Sequence, residues 1–233
     1  TRVVEAVDNS NELTQALQST PFFHGLDDGV LAELAQHAVA RSFAPGAVIF
    51  LEGDAAPGFY YVAEGWVKIV RMSPEGREQI LYFWGPGDLF GGMGVFANHP
   101  TRATAIALEA ADLWLLPRNA ICQALTADPT LALRVIEFMA DRIEDLMALV
   151  TDLSLRSVTA RLASQLLARA EGDLVQRQRW ATQTEMAAHL GTTPDVINRA
   201  LRTLVEEGLI ELNRRQIRIL DHTALTHRAA PDR

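Results

Sequence analysis

The sequence is poor in the residues that carry covalent and cofactor chemistry. It has one cysteine, Cys122. That excludes an intramolecular disulfide. It also excludes an iron–sulfur cluster held within one chain, which takes about four thiolates. Cys122 is expected to pack on a helix face. No run approaches the roughly 18 apolar residues of a membrane span, so no membrane partner is expected. No basic-then-apolar leader opens the chain, which points to a cytoplasmic protein; the first residue, Thr1, suggests a trimmed or engineered start. There is no G-x-x-x-x-G-K, H-E-x-x-H, paired C-x-x-C or G-x-S-x-G. With neither a metal cluster nor a nucleophile–base pair in view, no enzyme is expected.

What is present is a globular composition with an uneven charge. The chain has 233 residues, 48% of them hydrophobic and 21% charged, enough for one large or two small domains. Residues 1–155 carry 9 Lys+Arg against 20 Asp+Glu, a net of -11. Residues 156–233 carry 12 Arg, no Lys and 9 Asp+Glu, a net of +3. An acidic half joined to a mildly basic one suits a sensor joined to a reader of a phosphate-backed polymer.

Residues 181–220 say most about function. Thr182 and Glu185 form a T-x-x-E capping box, so a helix starts at Gln183. Met186, Ala187 and Leu190 supply its apolar face, and Gly191 suits the left-handed position that ends it. Thr193 then caps a second helix, with Pro194 at its first position, which runs to about Glu207. Val196 or Ile197, Ala200, Leu201 and Leu204 should face a core, with Asp195, Asn198, Arg199 and Arg202 on the other side. Two helices around a glycine turn, the second polar and basic near its start, form a helix-turn-helix. Residues 209–212 and 216–220 read as a two-stranded wing around Asn213, Arg214 and Arg215.

Earlier in the chain, residues 1–20 read as a peripheral helix and 27–40 as a second one. From Arg41 the pattern changes to short strands with turns at Pro45-Gly46, Gly53-Asp54, Glu64-Gly65, Pro74-Glu75-Gly76 and Pro86-Gly87-Asp88. Strands are predicted at 59–63, 66–72, 78–84, 103–108 and 113–116, which suggests a double-sheet jelly roll. A long helix follows over 127–153. Ile136, Met139, Ile143, Leu146, Val150 and Leu153 recur at spacings of three and four, a seam for a twin helix. Leu133, Phe138 and Leu149 suggest a second face packed on the barrel.

The order Pro45-Gly46, Glu52-Gly53-Asp54, Gly65, Pro86-Gly87-Asp88 and Gly91, followed by the long helix and the winged helix-turn-helix, resembles the Crp/Fnr family of bacterial transcription regulators. The resemblance covers roughly residues 20–222. It implies an α+β chain with an N-terminal, cyclic-nucleotide-binding-like jelly-roll sensor over 1–126. A dimerisation helix (127–153), a hinge (154–157) and a DNA-binding winged helix-turn-helix (158–233) follow. The function implied is effector-responsive regulation by a homodimer on an inverted repeat of double-stranded DNA, acting as an activator that also touches RNA polymerase. The alternatives are a ligand-independent regulator with a degenerate barrel, or a haem-based gas sensor.

By the same resemblance, the effector site falls at Gly91, Gly92, Met93, Arg102, Ala103, Thr104 and Leu146. Cyclic-AMP-binding members have Gly-Glu-Leu and Arg-Ser where this chain has Gly91-Gly92-Met93 and Arg102-Ala103. Arg102 can still pair with an anion. The ribose-accepting carboxylate is replaced by Gly92, and the adenine-contacting polar pair by Leu146 and Met147. The expected effector is therefore not cyclic AMP. It is a smaller or more apolar molecule, or an anion held by Arg102. Haem would need an axial ligand, and His24, His37 and His99 are each lone, so surface or core roles are expected for them.

On the reader, Pro194, Asp195, Asn198 and Arg199 occupy the base-reading side by resemblance. Arg199 can grip guanine through O6 and N7, Asp195 can accept from cytosine N4, and Asn198 can reach adenine or a phosphate. Thr182, Gln183, Thr192, Thr193, Arg202, Arg214 and Arg215 are placed for phosphates.

Overall fold

The structure, a computed structural model, describes residues 9–97, 99–176, 178, 180–213 and 216–230. Arg214 and Arg215 of the wing therefore lie outside the described residues, as does the side chain of Met93. The chain divides into two compact units. One contains Leu81–Arg142 and the residues up to Arg71; the other contains Met72–Ile80 and the residues from Ile143 on.

The first unit opens with α1 (Asn9–Gln18) and α2 (Asp28–Gln36), and ends with α4 (Arg118–Ala127) and the start of α5 (Thr130–Leu155). Between them lie β1 (Val39–Phe43), β2 (Val48–Phe50), β3 (Gly58–Glu64), β4 (Val67–Met72), β5 (Glu78–Trp84), β6 (Leu89–Phe90), the short helix α3 (Gly92–Ala97), β7 (Thr104–Ala107) and β8 (Ala111–Pro117). The strands form two four-stranded sheets, ordered β1-β8-β3-β6 and β2-β7-β4-β5. This is the expected double sheet.

Strand β3 holds the unit together because both of its faces are buried. Phe59 and Tyr61 point into a core shared with α1, α2, α4 and Leu131 of α5. Tyr60 and Val62 point the other way, between the sheets, with Phe50, Val67, Phe90 and Leu113. A strand covered on both sides reads as a continuous apolar run and shows no alternation. Phe22 anchors the helical side, with its ring centroid 5.2 Å from Phe59 and 5.3 Å from Phe138 of α5.

Several local expectations are corrected. The helix predicted over 27–40 stops at Gln36, because Val39 and Ala40 pair with Leu115 and Trp114 in the sheet. Asp27 caps that helix, accepting from the Gly29 and Val30 N–H groups. The long helix begins at Thr130, where the Asp128 carboxylate accepts from the Thr130 N–H at 2.9 Å. It continues through Ser154 and Leu155, so only Arg156 and Ser157 of the predicted hinge stay outside regular helix. Leu133 is 62% exposed and does not pack on the barrel, whereas Phe138 does.

The second unit contains α6 (Val158–Arg169), β9 (Leu174–Gln176), α7 (Gln183–His189), α8 (Pro194–Glu206), β10 (Ile210–Leu212), β11 (Gln216–Ile219) and α9 (His222–Arg228). Its sheet is antiparallel and ordered β10-β11-β9. Strand β9 and helix α9 are additions to the sequence reading. Ser157 caps α6, accepting from the Ala160 N–H. The core gathers Leu162 and Leu166 of α6, Ala187 of α7, Ile197, Leu201 and Leu204 of α8, and Ile210, Ile217 and Ile219 of the wing. Segment Met72–Ile80 belongs here too: Gln79 Nε2 donates to the carbonyl of His189 at 3.1 Å.

Candidate nucleic-acid interface and effector pocket

The helix-turn-helix is built as its sequence dictates. Thr182 caps α7, its hydroxyl accepting from the Glu185 N–H at 3.2 Å. Gly191 takes φ +64° in the turn, a conformation that L side chains rarely adopt. The Thr192 N–H then donates back to Ala187 at 2.9 Å, which closes the turn. Thr193 is the N-cap residue of α8, but its side chain makes no capping bond, a correction to the expected hydroxyl cap. Pro194 instead pre-sets the backbone at the first helical position.

On α8, Ile197, Ala200, Leu201 and Leu204 are buried. Asp195, Arg199 and Arg202 are exposed and Asn198 half-buried, so the polar residues form one stripe opposite the core. From Asp195 to Arg202 the stripe runs about 10 Å along the axis. Thr182, Gln183, Thr193 and Pro194 are exposed, and Thr192 half-buried. Neither Arg199 nor Arg202 has a side-chain hydrogen bond or ion pair among the described residues, so both guanidinium groups are open to an outside acceptor.

His189, in the last turn of α7, is the most perturbed group of this unit. Burial first, then the neighbouring Arg169 guanidinium, push its pKa down to about 4, against a hydrogen bond to the Ile80 backbone. The ring is therefore neutral at pH 7. Nothing in the sequence around His189 signals this; the perturbing groups come from α6 and from the Met72–Ile80 segment.

In the first unit, the predicted effector positions gather around β3, α3 and β7. Gly92 opens α3 directly beneath the Phe59 ring, and a Cβ placed there would overlap that ring. Gly92 supplies no carboxylate, so the ribose-accepting group that the family resemblance places at this position is absent. Gly91 lies against the backbone carbonyl of Gly58. Arg102 is exposed, without a hydrogen bond or ion pair among the described residues. Ala103 precedes β7 and is half-buried. The Thr104 hydroxyl is already engaged, accepting from the Glu52 N–H at 3.0 Å. Leu146 belongs to the second unit, on α5, and is 39% exposed.

A cation–aromatic cluster on β5 and α5 escapes the sequence pattern. The Arg142 guanidinium lies 5.9 Å from the Tyr82 ring centroid, 5.3 Å from Trp84 and 5.2 Å from Phe138. The Tyr82 and Trp84 rings stack at 5.4 Å. Burial pushes the Asp88 carboxyl up, against the Gly85 N–H that donates to it at 2.7 Å and the charge of Arg142. The Arg142–Phe138 spacing of four on a helix was the one available hint. Of His24, His37 and His99, the last two have Nδ1 2.8 Å from backbone carbonyls, those of Glu33 and Pro100. No helix among the described residues is long and apolar enough to cross a membrane.

Helix α5 carries the other exposed feature. Ile136, Ile143, Val150 and Leu153 are 63%, 58%, 62% and 40% exposed, and Leu133 and Met147 extend the same apolar surface. Met139, expected on the seam, is half-buried.

Known proteins match both halves. Residues 40–128 match the cyclic nucleotide-binding domain, and residues 160–228 the Crp-like helix-turn-helix domain. A cyclic AMP receptor protein of Thermus thermophilus is 30% identical over 199 residues, covering 84% of this chain and 90% of that protein. A CRP-like cAMP-activated global transcriptional regulator of Mycobacterium tuberculosis is 27% identical over 223 residues, 93% of this chain and all (100%) of that one. The structure of FixK2 from Bradyrhizobium japonicum superposes with a TM-score of 0.75 at 23% identity, over 84% of this chain and 99% of that one, a likeness of fold. With the barrel and the reader helices in place, these likenesses show that the chain belongs to the Crp/Fnr family of transcriptional regulators and carries their helix-turn-helix DNA-binding domain.

Proposed function

We propose that the protein is a homodimeric, effector-responsive regulator of transcription that reads an inverted repeat. The observation that carries this reading is the stripe Asp195, Asn198, Arg199 and Arg202, turned outward on α8 opposite a closed core. In a two-fold dimer, two such helices enter successive major grooves about 34 Å apart. Arg199 and Asp195 read bases, Asn198 reaches adenine or a phosphate, and Thr182, Gln183, Thr192, Thr193, Arg202, Arg214 and Arg215 hold phosphates. Pro194 sets the start of the reading helix. The apolar surface of α5 supplies the twin-helix seam. The protein works in the cytoplasm as an activator that touches RNA polymerase, and it catalyses no reaction.

The effector is an anion or a small apolar molecule seated near Arg102, distinct from cyclic AMP, because Gly92 supplies no carboxylate. It need only favour the DNA-competent dimer by a few kcal/mol. The same absence supports the second reading, a barrel that senses nothing. Thermal shift against cyclic nucleotides, inorganic phosphate and small organic acids separates the two. A ligand that raises the melting temperature of the protein but not of Arg102→Ala supports the first. Uniform silence supports the second. DNA binding itself is tested by mobility shift on random duplexes with selection for palindromes; a monomer indifferent to palindromic DNA at low ionic strength overturns both.

A further inference from the structure

At the head of the reading stripe stands an exposed side chain that cannot hydrogen-bond. Pro194 is the first residue of α8 and lies between Thr193 and Asp195, which are exposed too. Its ring presents only methylene groups, and its nitrogen carries no hydrogen. It precedes Asn198 by four residues, so the two share a side of the helix. The core makes no claim on it: the buried residues of α8 are Ile197, Ala200, Leu201 and Leu204.

The first residues of a recognition helix are the ones that meet base edges. An apolar group at that place is selective because of what the major groove displays. Guanine shows N7 and O6, adenine N7 and its N6 amino group, and cytosine its N4 amino group. Thymine shows O4 and a C5 methyl group. A methylene surface pressed on a polar group removes water and returns no hydrogen bond, which costs free energy. Pressed on the thymine methyl, it takes two apolar surfaces out of water together. Thymine is therefore the base that Pro194 favours, and the other three present it with nothing apolar.

The spacing along α8 places this contact. Arg199 comes five residues after Pro194, about 7.5 Å along the axis. That is about two base-pair steps at roughly 3.4 Å each. We infer that Pro194 is a specificity-determining residue: it reads a thymine through the C5 methyl group, about two base pairs from the guanine gripped by Arg199, once in each half-site. This rests on α8 being the recognition helix, and it assigns a base that the polar residues of the stripe leave open. The competing apolar side chain on the same turn is Val196, which is half-buried.

The test uses the full chain and the palindromic duplex that it selects from a random pool. The guanine is located first, as the position that Arg199→Ala relaxes. Each thymine of the half-site is then replaced in turn by deoxyuridine, which keeps every hydrogen-bonding group and lacks only the methyl. At one thymine, about two base pairs from that guanine, uracil should weaken binding about fourfold per half-site, the worth of one buried methyl group. Cytosine there should bind more weakly still, and 5-methylcytosine should recover part of the loss. Pro194→Ser, checked for an unchanged melting temperature, should bind the thymine and uracil duplexes alike. The proposal is overturned if no thymine at that distance responds to uracil, or if Pro194→Ser keeps the full response. A response kept by Pro194→Ser and lost in Val196→Ala gives the methyl to Val196. A selected palindrome without a methyl response defeats this inference alone; failure to select any palindrome defeats the reading of α8 along with it.

Discussion

Arg199 shows how much one side chain can be asked to carry. It is exposed on α8, its neighbours Ile197, Ala200 and Leu201 hold the helix from behind, and its guanidinium has no competing acceptor among the described residues. Arg199→Ala should cost ~1–3 kcal/mol on the preferred duplex and relax one base position, measured by competition among variant sites at fixed salt. Equal loss on every sequence would make Arg199 a phosphate contact. Gly92 makes the opposite case, a residue whose smallness is required. Gly92→Ala drives a methyl group into the Phe59 ring, and overpacking of this kind costs ~1–3 kcal/mol, to be read from denaturant midpoints. His189 couples stability to pH. Its folded pKa of about 4 lies below the ordinary 6.5, so between those values the unfolded chain binds a proton that the folded chain does not. Stability is unaffected above that window and falls as pH drops through it, by up to about 3 kcal/mol. In His189→Gln that component of the pH dependence should vanish, leaving a flatter melting profile between pH 6.5 and 4.

At the scale of elements, α5 matters most. Its 26 residues span about 39 Å, and they present two different faces. Leu131, Val135 and Phe138 pack in the first unit's core, while Ile136, Ile143 and Val150 face outward. Burying each outward side chain contributes about 1.5–3 kcal/mol, and each occurs twice in a two-fold pair. The double change Ile143→Asp and Val150→Asp should therefore yield a folded monomer in sedimentation and remove specific DNA binding. A dimer that survives would place the seam elsewhere. The period of the apolar stripe was legible because a helix repeats every few residues, and so was the capping of α7. The extent of α2 was not, because Val39 is claimed by a distant strand and not by its own neighbours. Strand β9 was also missed: at three residues it is too short to show a period, and its ladder partner β11 lies some forty residues away in the chain.

For the whole molecule, the charge division sets the behaviour on DNA. The -11 of residues 1–155 and the +3 of residues 156–233 oppose one another in any long-range field. Phosphate contacts made by arginine release counterions, so affinity should fall steeply with salt. Arg202→Ala should lower the slope of log affinity against log salt by about 1 per copy while leaving sequence preference intact, in titrations from low to physiological ionic strength. A changed preference with an unchanged slope would move Arg202 to the bases.

Taken alone, the order of residues determined the kinds of element, the reader motif and the apolar stripe of α5. Each of these rests on local rules, such as a cap three residues from its partner or a stripe every three or four. The tertiary structure alone decided that Phe59 lies against position 92, that Tyr82, Trp84 and Phe138 surround Arg142, that burial and the Arg169 guanidinium hold His189 neutral, and that β10 is an edge strand among the described residues. These depend on side chains and strands brought together from distant parts of the chain. No local period records such meetings, because packing selects for shape at the point of contact and not for spacing along the backbone.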